Sequence, residues 1–376
     1  MTLRIMQILP SLKQGGVETG TIEIAAALQQ ANISNIVVSS GGPMTDSLKK
    51  LGVKHITLPV QSKNPFVIWK NAKKLAAIVK EYQITLMHVR SRAPAWSVWL
   101  ASKKTGIPFI SSYHGIYGIK PKLKKLYNQV MLKGQHTIAV SDYVKQHLIN
   151  EYNYPQEKIT VIHRGADLNR FNIDKVTPQK IQEFADKNQI PMDKPILTLV
   201  GRLSKMKGQL ELIQALQQMA HKEVTCLLIG GKATPKYQKE LNEMMQKLPA
   251  TTNLKILSVN SKDMYLVYAL SNVMVSASLI PESFGRTIAE ANAMKKIVVA
   301  FNHGGPTETI IHGKTGFLTP VGNITELAHT LDKVLDMSAS EKEQMENAAY
   351  KNVHQHFSVQ KMCEKTLALY KELFND

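Results

Sequence analysis

Short β-branched apolar runs alternate with longer helical patterns along the whole chain, and this alternation constrains the fold more than any single motif does. The runs are RIMQIL, NIVVSS, HITLPV, ITLMHV, PFISSYH, HTIAV and ITVIH, then PILTLVG, TCLLIGG, LKILSV, NVMVSAS and IVVAF. A strand with one wet face alternates apolar with polar residues. Runs this apolar need cover on both faces, the condition of parallel strands between helices. The series therefore predicts an α/β fold, doubly wound twice. Between its two halves NRFNIDKVTPQKIQEFADKNQIPMDKP is polar, lacks strand character and holds three prolines, so the junction is expected near 168–195. The expected domains are 1–170 and 195–355, joined by a linker over 171–194, with a C-terminal helix over 356–376 packing back towards the first.

A chain of 376 residues is too long for one ordinary core, which agrees with two domains. Cys226 and Cys363 stand far apart in no CxxC pattern and read as small buried hydrophobes in a reducing compartment. The start, MTLRIMQILPSL, reads as a first strand rather than a secretory segment, and APAWSVWLA is half of a membrane span. The expected location is cytosolic or peripheral to a membrane. Net charge is +18; through Arg170 there are 23 Lys and Arg against 8 Asp and Glu, and afterwards 24 against 21. The first half is thus expected to meet something anionic: nucleic acid, a phosphate-bearing lipid or a membrane surface.

Doubly wound sheets bind ligands beyond the carboxyl ends of their strands, and two in tandem point to the cleft between them. In ILPSLKQGGVETG a glycine pair, Gly15 and Gly16, separates a strand from a helix, where bare N–H groups suit a phosphate. A tight turn explains the pair equally well. The stretch is not GxGxxG and no acid follows about twenty residues on, which disfavours a dinucleotide. In LVGRLSKMKG, Arg202 and Lys207 follow a strand directly and suit a diphosphate without a metal; a solvated basic loop is the alternative. SSYHG sets His114 at a strand end beside Gly115, although a lone histidine is more often a satisfied polar residue. VIHRGADLNRF reads as a turn, with Gly165 relaxing the backbone, Asp167 bonding it and Arg164 a further cleft candidate. In FNHGGPTE, Gly304, Gly305 and Glu308 form a turn and short helix, with the turn's N–H groups beside the next motif.

That motif is PESFGRTIAEA, residues 281 to 291. Its carboxylates, Glu282 and Glu290, are eight positions apart and so about 80° apart around a helix axis. Glu282 is expected in the loop before a helix and Glu290 on the helix. Ser283, Phe284 and Gly285 would then offer backbone N–H groups, Glu282 would accept from ligand hydroxyls, and Glu290 would hold the vicinal hydroxyls of a ribose. A helix-start acid and an exposed glutamate are the plain alternative.

Together GG, SYHG, GRLSKMKG, PESFGRTIAE, GGPTE and GKTGFL resemble, in the right order over most of the chain, the retaining glycosyltransferases of family 4. The resemblance implies GT-B architecture, two Rossmann-like domains facing a deep cleft, and extends to the lipopolysaccharide core type. It implies that Gly15 and Gly16 line the phosphate region, that Arg202 and Lys207 bind the diphosphate, and that Glu282 with Ser283, Phe284 and Gly285 holds the donor sugar. It further implies that Glu290 holds the ribose, that His114 approaches the reacting carbon, and that a donor phosphate oxygen takes the acceptor proton. The partners expected are a nucleotide sugar, a glycan or glycolipid acceptor and an anionic membrane surface, with no cofactor, no metal and no nucleic acid. The chain contains no Asp-x-Asp, the metal clamp of the other large glycosyltransferase fold. WKNAKKLAAIVK and GIKPKLKKLYNQVMLK mix lysines with apolar residues, as membrane-surface segments do. A noncatalytic basic protein for nucleic acid or membrane shares the charge but not the motifs, and a sugar-nucleotide epimerase shares the fold.

Overall fold

The computed structural model describes residues 2–13, 15–118 and 120–375. Met1, Gln14, Ile119 and Asp376, which fall in the chain start, the glycine-pair turn, the second basic stretch and the last helix as read above, lie outside the described residues. The chain forms two compact units. One takes in the chain through Arg164 and takes it up again from Gln360; the other is Gly165–Val359.

The first unit is built on seven parallel strands: β1 Arg4–Ile8, β2 Ser34–Ser39, β3 Lys54–Thr57, β4 Leu86–Val89, β5 Phe109–Tyr113, β6 His136–Ala139 and β7 Ile159–Val161. Their order, β3-β2-β1-β4-β5-β6-β7, reverses direction between β1 and β4. Met6, Ile8, Met87 and Val89 from the two central strands lie in one buried cluster with Leu75, Val98 and Tyr113. The last helix, Val359–Asn375, completes this unit by burying Met362, Thr366, Leu369 and Tyr370. Tyr370 Oη lies 2.5 Å from His88 Nδ1, and His88 Nε2 lies 2.8 Å from Ser112 Oγ, so a polar seam is sealed by side-chain pairing.

The second unit has six parallel strands: β8 Ile196–Val200, β9 Thr225–Ile229, β10 Asn253–Leu257, β11 Val273–Ser276, β12 Ile297–Phe301 and β13 Phe317–Thr319. Their order is β10-β9-β8-β11-β12-β13, with the reversal between β8 and β11. All twelve apolar runs named above are strands; the thirteenth strand begins in GKTGFL, which was not among them. Three residues are too few to show a period, and β13 gains its place by pairing Val299 with Phe317.

Two other expectations need correction. Residues 171–194 are no linker: the helix Pro178–Lys187, capped by Thr177, buries Phe184 and Ala185 with Ile190 against Ile196, Leu227 and Leu266. The segment reads as polar because only one side of its helix is covered. Gly165 does not relax the backbone; a Cβ there would stand 2.1 Å from the Ser358 carbonyl carbon, so glycine permits a close approach. Ala166 N–H donates to the Phe357 carbonyl at 2.8 Å and Val359 N–H to the Ala166 carbonyl at 2.9 Å across this contact. Asp167 Oδ1 accepts from the Asn169 and Arg170 N–H groups, the local bonding foreseen for it. Among the described residues no helix is long and apolar enough to cross a membrane.

Candidate active site

In the first unit three separate sequence stretches converge on one arginine. The helix Gly16–Gln30 starts directly after the turn that leaves β1, and Gly15 at its N-cap has φ 152°, which only glycine adopts without strain. His114 follows β5 and Arg164 follows β7. Arg164 donates through one guanidinium nitrogen to His114 Nδ1 at 3.3 Å and through another to the Gly16 carbonyl. Gly20 makes the room: a Cβ there would stand 2.7 Å from the guanidinium. Glu18 also belongs to this turn, since a Cβ on Gly15 would lie 2.7 Å from its carboxylate. The phosphate region expected at Gly15 and Gly16 thus already has an acid at the positive end of its helix.

The arginine settles the state of the histidine. A guanidinium can only donate, so His114 Nδ1 must be unprotonated and the neutral ring carries its proton on Nε2. Burial, and then the charges of Arg164 and Arg90, hold the His114 pKa well below its ordinary value. Arg90 is itself buried and gives both Nε and a terminal nitrogen to Gln7 Oε1, at 3.1 and 2.8 Å. His114 Nε2 is buried and has no hydrogen-bond partner among the described residues. It is a buried donor that none of the described residues satisfies.

In the second unit the converging loops leave β8, β11 and β12, adjacent strands beside the reversal point. After β8, Arg202 is exposed and its carbonyl accepts from Gln209 Nε2 at 3.0 Å, which braces the turn. Lys207 Nζ lies 2.7 Å from Glu282 Oε1, and Ser278 Oγ donates to the same oxygen at 2.6 Å. The lysine expected to meet a diphosphate is therefore held by the acid expected to meet the sugar. Gly208, at φ 73°, lets this turn close, because a Cβ would come 1.7 Å from the Ala277 carbonyl oxygen.

The loop after β12 clamps Glu282 from the other side. Gly305 N–H donates to the Glu282 carbonyl at 2.7 Å, and His303 Nε2 lies 2.7 Å from the Ser278 carbonyl, to which it donates. A Cβ on Gly304 would stand 2.5 Å from the Glu282 carbonyl oxygen, and one on Gly305 2.3 Å from Phe284 Cα. These glycines lie beside PESFG as expected, but the Gly305 N–H is spent on the loop instead of facing a ligand. Glu308 sits on the short helix Pro306–Thr309 that follows. Phe284 points inward, its ring 5.7 Å from that of Phe357, so it anchors the loop whatever its N–H does.

Glu282 lies in the loop and Glu290 on the helix Arg286–Ala293, whose N-cap is Gly285 at φ 85°. Ser283 is half-buried between them. Tyr268 donates its hydroxyl to Glu290 Oε2 at 2.8 Å, and Arg286 Nε lies 3.3 Å from Oε1. Burial and then the Glu290 charge push the Tyr268 pKa far up, so it remains a donor. The two carboxylate oxygens are thereby fixed in one plane, and vicinal hydroxyls need two acceptors so placed. Sequence reasoning missed Tyr268, Ser278, Gln209 and Arg90. Nothing in MYLVYAL marks one tyrosine as polar; Arg90 alone carried a signal, as a charge directly after the apolar run ITLMHV.

Residues 14–170 match the family described as Glycosyltransferase Family 4, and residues 180–352 match Glycosyl transferases group 1. A glycosyltransferase from Rickettsia africae ESF-5 is 38% identical, covers 100% of this chain and 99% of its own, and superposes with a TM-score of 0.93. Anabaena Alr3699/HepE in complex with UDP-glucose, 23% identical over 98% of this chain and 100% of its own with a TM-score of 0.85, shares the fold. Spore coat protein SA of Bacillus subtilis is 24% identical over 97% of this chain and 96% of its own length. Two Rossmann-like units of the GT-B kind and a full-length relative at this identity agree: the chain belongs to the group 1 glycosyltransferases.

Proposed function

We propose that the protein is a retaining, metal-independent glycosyltransferase that moves a sugar from a nucleotide diphosphate to a glycan or glycolipid in cell-envelope polysaccharide or lipopolysaccharide synthesis. The observation that carries this reading is the pairing of Lys207 with Glu282 at the reversal point of the second sheet, with Glu290 held in place by Tyr268 close along the same chain segment. The binding of UDP-glucose by Anabaena Alr3699/HepE supports a nucleotide-sugar donor. The lipopolysaccharide outer core galactosyltransferase WaaB, of the same fold, suits the envelope role.

In this reading Glu290 accepts from the ribose, while Arg202 and Lys207 neutralise the diphosphate. Donor binding separates Lys207 from Glu282: the lysine turns to phosphate and the carboxylate accepts from sugar hydroxyls. His114 donates its Nε2 proton as a hydrogen bond to the sugar. The acceptor oxygen bonds to the anomeric carbon as the bond to diphosphate breaks on the same face. Its proton passes to a diphosphate oxygen, so neither glutamate serves as base.

The test is thermal stabilisation by UDP, GDP, ADP and their sugars, followed by transfer assays with the anomeric configuration read by NMR. A nucleotide that binds only the folded state raises the melting temperature, with the logarithm of its concentration once that exceeds Kd. Glu290→Ala is expected to weaken nucleotide binding by about 10- to 100-fold, the cost of lost hydrogen bonds to a charged group. His114→Ala is expected to slow transfer with nucleotide affinity kept. No stabilisation by any nucleotide, together with no transfer or hydrolysis, sinks the proposal.

A further inference from the structure

Between Asp46 and Asp142 the chain carries seventeen Lys and Arg and one acid, Glu81, so this stretch holds +16 of the total +18. The donor reading uses none of these charges. The two arginines are engaged inside the unit, Arg90 on Gln7 and Arg92 on Asn128 and over the Tyr117 ring. The lysines are left to the surface.

Four large apolar side chains in the first unit are exposed among the described residues, and all lie on two helices of this stretch: Phe66 (83%) and Trp69 (56%) on Pro65–Glu81, Leu123 (76%) and Leu126 (59%) on Lys122–Asn128. On the first helix, Ala72, Leu75, Ala76 and Val79 face the core while Phe66, Trp69, Lys70, Lys73 and Lys74 face out, with Lys73 Nζ 3.4 Å from the Trp69 ring centre. On the second, Lys122 and Lys124 flank Leu123. The helix Arg92–Thr105 bridges the two: Ser97 Oγ donates to the Ile68 carbonyl at 3.2 Å, and the Trp96 ring lies 5.8 Å from that of Tyr127. Both apolar pairs lie beyond the carboxyl ends of strands, β3 and β5, on the sheet edge that also carries His114.

We propose that this corner docks on an anionic lipid bilayer, with Phe66, Trp69, Leu123 and Leu126 entering the interface and Lys70, Lys73, Lys74, Lys122 and Lys124 lying over the headgroups. Apolar tips ringed by lysines, with a tryptophan among them, match an interface that is apolar below and anionic above. Leucines give nothing to a nucleic acid, which favours stacked aromatics and arginine forks, and the arginines here are turned inward. Given the transferase reading, docking brings a lipid-linked acceptor to the strand edge where His114 stands.

The experiment is co-sedimentation of the full chain with vesicles of phosphatidylcholine alone or mixed with phosphatidylglycerol, beside a binding assay with single- and double-stranded oligonucleotides. Binding to the mixed vesicles and not to the neutral ones is expected. Phe66→Ser, Trp69→Ser, Leu123→Ser and Leu126→Ser together should lower partitioning ten-fold or more, and Lys70→Gln, Lys73→Gln, Lys122→Gln or Lys124→Gln about five-fold each. Circular dichroism confirms that each variant is folded. Unchanged partitioning of the serine variant overturns the proposal, as does oligonucleotide binding without vesicle binding. Stabilisation by nucleotides is measured on the same samples: a chain that binds nucleotides and ignores vesicles overturns docking alone, and one that docks without binding nucleotides overturns the transferase reading alone.

Discussion

His114 carries its proton on Nε2 because an arginine has no lone pair to lend, and this makes it a fixed donor over the whole working pH range. Removing Arg164 frees Nδ1. In Arg164→Ala one of the lowering charges is gone, so the pKa rises, though burial and Arg90 still hold it below the ordinary value, and the neutral ring divides between two tautomers. The imidazolium still donates from Nε2, so transfer by the variant should fall as pH rises through that pKa, on the acid side of about 6.5, whereas wild-type transfer stays level there. At neutral pH the variant should be roughly ten-fold slower, about the worth of one hydrogen bond. Arg164→Lys keeps the charge but loses the fork that reaches both Gly16 and His114, and should fall between the two. A level profile for Arg164→Ala would show that the arginine does not set the tautomer.

At the scale of elements, two loops of the second unit hold each other through missing side chains. Gly305 has an ordinary backbone angle, yet a Cβ there would lie 2.3 Å from Phe284 Cα, so Gly305→Ala must push apart the loops that present Glu282. Nucleotide-sugar affinity is expected to drop ten-fold or more, and the melting temperature by about 2–4 °C per kcal/mol of strain. Gly313→Ala is the control. Gly313 has φ 74° and nothing within 4 Å of a Cβ, so that change should cost only about 1–2 kcal/mol and leave binding alone. These loops also mark where the sequence stops being legible. Twelve strands could be read because covered parallel strands are apolar throughout, and the Glu282–Glu290 spacing placed one acid before its helix and one upon it. The reason for Gly304 and Gly305 could not be read, because it lies in the backbone of residues some twenty positions earlier. The Lys207–Glu282 bond and the Tyr268 hydroxyl were hidden likewise, since side-chain partners across a sheet edge leave no local period.

At the scale of the whole molecule, the first unit depends on a buried histidine that must stay neutral. His88 is fully buried between Tyr370 and Ser112, and burial, then Arg90 and His114, hold its pKa well below the ordinary value. The folded state therefore binds fewer protons than the unfolded one. This stabilisation is complete above about pH 6.5 and is lost as pH falls below it. Calorimetry should show the transition of the first unit moving to lower temperature between about pH 7 and 5. His88→Gln should lower that transition at neutral pH and flatten its slope; an unchanged slope would locate the acid sensitivity elsewhere. The same bond joins residues 282 positions apart, because the helix that seals the sheet of the first unit follows the second unit in the chain. Gly165–Val359, by contrast, is one uninterrupted segment. During synthesis the unit begun first is thus finished last, reversing the usual N-terminal-first order of domains. Until the closing helix emerges, the nascent protein shows the polar seam around His88 and the apolar ground beneath Leu369 to whatever attends the ribosome, while its second half is already whole.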